Sequence, residues 1–244
     1  MRKTAFYFSI LSLSLLSEIA VSSIPEATVN SEKIILGSGC FWGAEKGYES
    51  LPGVIDAVSG YADGDDVQPT YREITKLRNK FNPNNHAEVV EVTYNKNVIS
   101  TEALLIHYFE SHDPTQINRQ GNDIGTQYRS IILYSNEQQR EAIETINSQY
   151  QELLSDAGYG TIATEIKSIT KFYKAEKYHQ DYIKKNPNGY CPDHSTGVRF
   201  NKTEDLVMVD NTTIAKGKSI VVIEPEGYCP YCEKFKATVV KNYF

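Results

Sequence analysis

Four cysteines are the side chains of this sequence best suited to nucleophilic or redox chemistry: Cys40, Cys191, Cys229 and Cys232. Cys40 follows a short apolar stretch and the turn Gly37-Ser38-Gly39, and a segment of helical composition begins at Phe41. Backbone amides at a helix N-terminus stabilise negative charge, so we expect a lowered pKa for the Cys40 thiol and a reactive thiolate. The alternative is an inert cysteine packed by Phe41 and Trp42, because free cysteine is often a core residue.

A second candidate group is the carboxyl of Glu88, near the start of the segment 87–94. This segment alternates between apolar and polar residues and is typical of a β-strand. If Val90 and Val92 face the core, Glu88 lies on the same face and is desolvated. Desolvation favours the neutral carboxyl, which could donate a proton near pH 7. The alternative is a solvated glutamate at the end of a strand.

Two further segments could add polar groups and a second thiol. Residues 118–129 form a polar, glycine-interrupted stretch that is long for a simple connection, and such loops often carry function. Cys191 ends the glycine-bearing segment 186–191, which could swing this thiol toward Cys40. A structural disulfide from Cys191 to Cys229 or Cys232 is the alternative, since an even number of cysteines in an exported protein often pair.

The elements that must position these groups mix strands and helices without a strict βαβ repeat. Strands are predicted over residues 33–36, 54–61, 87–94, 128–134 and 165–169, and helices over residues 41–51, 100–111, 135–157 and 174–185. We expect Ser135 and Gln138 to form a capping box, and Gly158 to end that helix in the left-handed conformation. The pattern favours an α+β fold, a two-layer mixed sheet with helices, over a doubly wound sheet.

Composition and charge limit the function and suggest the domain boundaries. The chain has 244 residues and a formal net charge of −6, which argues against a protein that binds nucleic-acid phosphates. Residues 1–22 have a basic start, an apolar run too short to span a membrane and then small residues, which predicts a signal peptide and an exported, periplasmic or secreted, protein. A buried N-terminal helix in a cytoplasmic protein is the alternative. Residues 23–31 are predicted to be a linker and residues 32–200 the catalytic domain.

In the tail, residues 201–244, the sequence predicts an apolar strand, then has Cys229-Pro230-Tyr231-Cys232, and then predicts a helix. This order resembles the opening of a thioredoxin-like or glutaredoxin-like domain, although the tail is too short to bury a core of its own. Three hypotheses follow: a truncated fusion partner, a tethered dithiol that relays electrons to the catalytic domain, or a zinc site. The four zinc ligands would be Cys191, His194, Cys229 and Cys232.

Seven short motifs occur in order between residues 32 and 200. They are Gly39-Cys40-Phe41-Trp42-Gly43-Ala44-Glu45, Gly60-Tyr61, Pro69-Thr70-Tyr71, His86-Ala87-Glu88, His112-Asp113-Pro114-Thr115-Gln116, the stretch 119–129, and Asn186-Pro187 with Gly189-Tyr190-Cys191. In this order they resemble the peptide methionine sulfoxide reductases of the A type, which act on the S epimer of the sulfoxide. The resemblance implies a ferredoxin-like α+β core, a monomer, and no bound cofactor or metal.

The resemblance also implies a role for each matching side chain in the first half of the reaction. Cys40 matches the nucleophile that attacks the sulfoxide sulfur, and Glu88 matches the acid that protonates the sulfoxide oxygen. Tyr71 and Tyr128 match phenols that hydrogen-bond this oxygen. The expected product is methionine, with Cys40 left as a sulfenic acid.

Substrate binding and recycling are implied by the same resemblance. Phe41 and Trp42 match aromatic walls that accept the methyl group on sulfur, and Asp123 matches a polar residue lining the site. Cys191 matches the recycling cysteine that condenses with the sulfenic acid to a disulfide, which thioredoxin or a similar dithiol reopens. The competing function is thiol–disulfide exchange by Cys229 and Cys232, with the front domain only binding peptides.

This sequence departs from the family pattern at three places. The loop between Tyr71 and His86, residues 72–85, is longer than usual, which widens the spacing in sequence between Tyr71 and Glu88. Ile124 stands where the family commonly has histidine. Pro192-Asp193-His194 replaces a glycine-rich end that carries a further cysteine.

Overall fold

The computed structural model describes residues 30–200. The predicted signal peptide, most of the predicted linker, and the tail with Cys229 and Cys232 lie outside the described residues. The first strand begins at Ser31, the last residue of the predicted linker. Among residues 30–200, no helix is both long and apolar enough to cross a lipid bilayer.

Eight strands and five helices make up the regular structure of these residues. The strands are β1 (Ser31–Ser38), β2 (Val54–Ala62), β3 (Ala87–Asn95), β4 (Arg119–Gln120), β5 (Asp123–Ile124), β6 (Ser130–Tyr134), β7 (Glu165–Ser168) and β8 (Phe172–Lys174). The helices are α1 (Phe41–Glu49), α2 (Tyr71–Ile74), α3 (Thr101–Glu110), α4 (Glu137–Asp156) and α5 (Tyr182–Lys185). Short 3-10 turns lie at Leu77–Asn79 and Thr126–Tyr128.

Six of the strands form one mixed sheet, in the order β7-β6-β1-β3-β2-β8. Strand β1 pairs antiparallel with both β3 and β6, and β7 is parallel to β6. Strands β4 and β5 form a separate two-stranded ladder. The predicted α+β class is confirmed. Because β1 lies inside the sheet, the segment that follows it, with Cys40, is anchored to an interior strand.

The core consists of aliphatic and aromatic side chains on both faces of the sheet. On one face, alternate residues of β1 and β3 such as Leu36 and Val92 pack with α1, α3 and α4, whose buried residues include Leu105 and Ile143. The opposite face carries a smaller cluster: Ile35, Ala62, Ala87, Val89, Ile131 and Leu133. Burial of these side chains supplies most of the driving force for folding.

The prediction of a helix over residues 174–185 is wrong. Residues Phe172–Lys174 instead pair with the edge of β2 as strand β8, and only Tyr182–Lys185 is helical. Between them, Ala175 donates its backbone N–H to Ser59 O at 2.9 Å, so the chain stays extended along the sheet edge. A free sheet edge therefore outweighed the local preference for a helix.

The capping box of the long helix α4 lies one residue further along than predicted. Asn136, not Ser135, is the N-cap, and its side chain accepts the Gln139 N–H at 2.9 Å. In return, Gln139 Oε1 accepts the Ser135 N–H at 2.9 Å. At the other end of the helix, Gly158 has φ +83°, which confirms the predicted left-handed cap.

Candidate active site

Cys40 is the N-cap residue of α1, directly after the interior strand β1. The preceding Gly39 has φ +96°, a conformation that favours glycine. A Cβ atom at this position would also lie 2.8 Å from Gln120 Cγ. Gly39 therefore permits the turn that places Cys40 at the start of the helix, and Cys40 itself remains partly accessible.

Glu88 is buried beside the first turn of this helix, as the alternation of β3 predicts. Its side chain is 1% exposed, and Oε2 accepts the backbone N–H of Phe41 at 3.3 Å. The second oxygen, Oε1, is buried and has no hydrogen-bond partner among the described residues. Burial raises the pKa of Glu88 to about 8, and the charge of Asp123 adds to this shift. The carboxyl therefore holds its proton at neutral pH.

The prediction of a lowered pKa for Cys40 is wrong for the resting site. Burial raises the pKa of the thiol well above its ordinary value, and Glu88, which is ionised at the high pH where the thiol titrates, raises it further. The Trp42 backbone amide at the helix terminus acts in the expected direction and lowers it, but this effect is smaller. Desolvation therefore outweighs the helix terminus, and both the thiol and the Glu88 carboxyl are protonated at rest.

Two tyrosines contribute neutral phenols near the same carboxyl. Burial raises the pKa of Tyr71 to about 12, and it also raises the pKa of Tyr128. Glu88, which is ionised at the high pH where the phenols titrate, adds to the rise at both tyrosines, and Tyr71 and Tyr128 line the same cavity. Each O–H is therefore available as a hydrogen-bond donor.

The longer loop 72–85 does not remove Tyr71 from the site. The buried Asn85 amide donates to Ile74 O at 2.9 Å and to Asn79 O at 3.2 Å, so the loop closes on itself. The backbone N–H of Tyr71 donates to Glu176 Oε1 at 2.9 Å. Hydrogen bonds within residues 72–85 thus make this loop compact, and the bond to Glu176 fixes the start of α2.

The aromatic pair after Cys40 forms one side of the site. Phe41 is buried, and Trp42 stacks on Tyr182 with ring centroids 3.7 Å apart. Trp42 Nε1 donates to His179 Nδ1 at 3.0 Å, and the His179 ring lies 4.6 Å from that of Tyr71. The orientation of this aromatic wall is therefore fixed by contacts from the segment 179–182.

Cys191 lies next to the helix that begins at Cys40. A Cβ atom added at Gly43, three residues after Cys40, would lie 3.1 Å from Cys191 Sγ. Cys40 and Cys191 are both free thiols, and they line one cavity of about 310 Å³ together with His107, His194 and other residues. The structure therefore brings the two predicted redox cysteines of this domain to one place.

Asp123 belongs to a neighbouring cavity of about 490 Å³. Its lining includes Tyr71 and Tyr128 and, from the longer loop, Leu77 and Lys80. Within residues 30–200, no cluster of three or more histidine, cysteine, aspartate or glutamate side chains has the geometry of a metal site. The zinc hypothesis requires Cys229 and Cys232, which lie outside the described residues.

Comparison with known proteins identifies the family. A sequence model of peptide methionine sulfoxide reductase matches residues 32–207. The chain belongs to this family. The resemblance drawn from the seven motifs is confirmed.

Individual relatives of the reductase family cover about two thirds to three quarters of the chain. A peptide methionine sulfoxide reductase MsrA from Corynebacterium glutamicum (strain R) is 46% identical over 169 residues, which cover 68% of this chain and 76% of that protein. The human mitochondrial peptide methionine sulfoxide reductase is 46% identical over 178 residues, covering 73% of this chain and 72% of that protein. The solved structure of methionine sulfoxide reductase A of Corynebacterium diphtheriae matches with a TM-score of 0.62 at 44% identity, covering 69% of this chain and 81% of that one.

Two residues of this reductase domain support the site but were missed by the sequence analysis. Glu176 accepts both the Tyr61 O–H, at 2.6 Å, and the Tyr71 N–H, and His179 accepts from Trp42. Both lie more than 100 residues along the chain from the groups they hold. Only the local sequence around His179, rich in aromatic and charged residues, could have drawn attention to them.

Proposed function

We propose that this protein reduces methionine S-sulfoxide, free or within proteins, to methionine, with Cys40 as nucleophile and Glu88 as acid. The observation that carries this proposal is the buried Glu88 Oε1, which has no partner among the described residues and lies beside the Cys40 turn. A protonated carboxyl in that place can donate to a sulfoxide oxygen. Protein repair after oxidation is the corresponding biological role.

The first step transfers the substrate oxygen to Cys40. Glu88 gives its proton to the sulfoxide oxygen, which makes the substrate sulfur electrophilic. The Cys40 thiol proton passes to the Glu88 carboxylate left behind, and the Cys40 sulfur is oxidised while the substrate sulfur is reduced. The sulfur–oxygen bond of the substrate breaks, methionine leaves, and Cys40 carries the oxygen as a sulfenic acid. This order accommodates a resting thiol whose pKa is raised, because the thiolate forms only as the proton moves.

The surrounding side chains orient the substrate for this step. The neutral phenols of Tyr71 and Tyr128 donate hydrogen bonds to the sulfoxide oxygen and stabilise charge that develops there. Phe41 and Trp42 supply an apolar surface for the substrate methyl group. Asp123 lines the polar side of the adjacent cavity.

Cys191 regenerates the enzyme in the second step. Its thiol condenses with the Cys40 sulfenic acid, and a disulfide and one molecule of water form. A dithiol protein such as thioredoxin, or an equivalent in an oxidising compartment, then reduces the bridge by thiol–disulfide exchange. The closeness of Cys191 Sγ to Gly43 supports this pairing.

Export of the protein is part of the same proposal. Residues 1–22 act as a signal peptide and direct the reductase to the periplasm or the medium. Mass spectrometry of the protein purified from its host tests this, and an intact N-terminal segment on a cytoplasmic protein would contradict it.

The activity is tested with a peptide containing methionine S-sulfoxide, with dithiothreitol as reductant. We expect turnover by the wild-type protein, none by Cys40→Ser, and full turnover by Cys229→Ser as the matched thiol control. The R epimer should not react. Activity that survives Cys40→Ser and is lost in Cys229→Ser would overturn the proposal in favour of thiol–disulfide exchange.

Cys191→Ser separates the two steps. This variant should release one equivalent of methionine and then stop with thioredoxin as the only reductant, and a small thiol should restore turnover. Sustained turnover with thioredoxin alone would assign recycling to Cys229 or Cys232 instead.

A further inference from the structure

Both oxygens of the Asp123 carboxylate face the segment that carries Cys191. Tyr190, the residue before this cysteine, donates its O–H to Asp123 Oδ1 at 3.2 Å. On the other side, His194 Nε2 lies 3.6 Å from Asp123 Oδ2. One carboxylate on strand β5 thus holds the chain on both sides of the second thiol.

The histidine contact is largely shielded from solvent. The side chains of His194 and Asp123 are 14% and 17% exposed. His194 Nε2 and Asp123 Oδ2 are both buried, and neither has a hydrogen-bond partner among the described residues. A shift of less than about 1 Å would join them in a hydrogen bond of normal length, and this would remove two costly unpaired groups.

The His194 ring packs closely against the turn between β4 and β5. Gly121 in this turn has φ +53°, and a Cβ atom there would lie 2.4 Å from His194 Nδ1. Any larger side chain would displace the ring. His194 belongs to the sequence Pro192-Asp193-His194, which follows Cys191 directly.

The segment needs such an anchor because residues 186–200 contain no helix or strand. An irregular segment of this kind samples many positions, and the rate of an intramolecular reaction depends on how often the two groups meet. Cys191 nevertheless lies against Gly43 and in the same cavity as Cys40. Farther along, Tyr150 and Tyr159 donate to residues 196–198, and Glu110 accepts the Phe200 N–H. The contacts with Asp123 are the polar contacts to another part of the chain that lie nearest to Cys191 on either side.

We propose that Tyr190 and His194 are positioning residues for the recycling step. By docking on Asp123, they hold the Cys191 thiol beside the first turn of α1, where it meets the Cys40 sulfenic acid. Among the described residues the side chains of Tyr190 and His194 make their polar contacts with Asp123 and none with Cys40 or Glu88, so we expect the first step to keep its rate without them. This inference rests on the proposed function and adds to it the contacts that set the rate of disulfide formation.

The test measures both steps in a single turnover. The full chain is mixed with one equivalent of a methionine S-sulfoxide peptide, with no reductant, and quenched at successive times. Released methionine reports the first step, and the mass of the alkylated Cys40 and Cys191 peptides reports the disulfide. The variants are Tyr190→Phe and His194→Leu, with His194→Gln as the conservative replacement that keeps an N–H donor.

We expect Tyr190→Phe and His194→Leu each to slow disulfide formation roughly tenfold. A factor of this size corresponds to the loss of about one hydrogen bond to a charged group. The methionine burst should keep its wild-type rate and size, which also shows that the variants fold. His194→Gln should recover part of the rate. Tyr159→Phe is the matched control, because its O–H donates to Thr196 O at 2.8 Å in the same segment without contacting Asp123; it should change neither step.

Disulfide formation at the wild-type rate in both Tyr190→Phe and His194→Leu would overturn the inference and leave the proposed function intact. An equal slowing of methionine release and disulfide formation would also overturn it, because it would indicate general disruption of the site. A wild-type protein that releases no methionine would overturn the proposed function itself, and the inference with it.

Discussion

Replacing Glu88 with glutamine should lower activity and raise stability in the same molecule. The glutamine oxygen can still accept the Phe41 N–H, so the local geometry is retained. Glutamine has no proton to give to the sulfoxide oxygen, and removing a general acid usually costs about 10²- to 10⁴-fold in rate. Substrate binding should change little, because the aromatic wall and the two phenols stay in place.

The gain in stability follows from the proton that Glu88 takes up on folding. The pKa of Glu88 rises from 4.5 in the unfolded chain to about 8 in the folded protein. Its contribution to the free energy of unfolding is therefore complete only below about pH 4.5, where the carboxyl is protonated in both states. As the pH rises toward 8, the unfolded chain loses its proton first and the folded state becomes progressively less favourable. Between pH 5 and pH 7 this costs the wild-type protein about 2 to 3 kcal/mol, and the glutamine variant avoids that cost.

Urea unfolding of both proteins at pH 5 and pH 7, together with single-turnover kinetics, measures the two effects. Glu45→Gln is the matched control, because Glu45 of helix α1 is buried like Glu88. Unlike Glu88, both of its oxygens accept hydrogen bonds, from the Ser59 N–H at 3.3 Å and from the Asp181 N–H at 2.8 Å. Glutamine satisfies only one of these donors, so this variant should lose stability while the chemistry persists. Normal turnover by Glu88→Gln, or a stability difference from wild type that does not grow with pH, would refute the reasoning.

Three further outcomes are expected. Methionine release in the first turnover should fall about tenfold between pH 7 and pH 9, as Glu88 loses its proton around pH 8; a flat profile in quenched-flow measurements would contradict this role. Iodoacetamide at pH 7 should label the exposed Cys191 before the partly buried Cys40, whose thiol pKa is raised. Peptide mass mapping measures the order of labelling, and earlier labelling of Cys40 would contradict this prediction. Asn136→Ala should remove the cap of α4 and lower the free energy of unfolding by about 1 kcal/mol without loss of activity, and an unchanged urea midpoint would argue against the cap.

Local patterns in the sequence predicted the parts of the fold that depend on local structure. The alternation of β3 placed Glu88 inside, and the glycine turn placed Cys40 at the start of α1. The helix expected over residues 174–185 failed because its first part completes the sheet edge along β2. Pairing between segments more than 100 residues apart leaves no periodic signal in either segment.

The chemistry of the site was less predictable than its location. The helix terminus does lower the pKa of Cys40, but burial and the charge of Glu88, 48 residues further along, outweigh it. Neither the burial of Cys40 nor its closeness to Glu88 can be estimated from the sequence, because both depend on how the strands pair. The same limit applies to Glu176 and His179, whose contacts with Tyr71 and Trp42 join distant segments.

The aliphatic and aromatic core has a consequence for survival under oxidants. The two methionines of the chain are Met1 and Met208, so none lies within residues 30–200. In most domains an oxidised core thioether becomes polar and loosens the packing. Here the only sulfur atoms between residues 30 and 200 are those of Cys40 and Cys191. A peroxide that reaches this part of the chain can therefore oxidise only the sulfur atoms of Cys40 and Cys191, and the reductive cycle of these two cysteines can reduce them again.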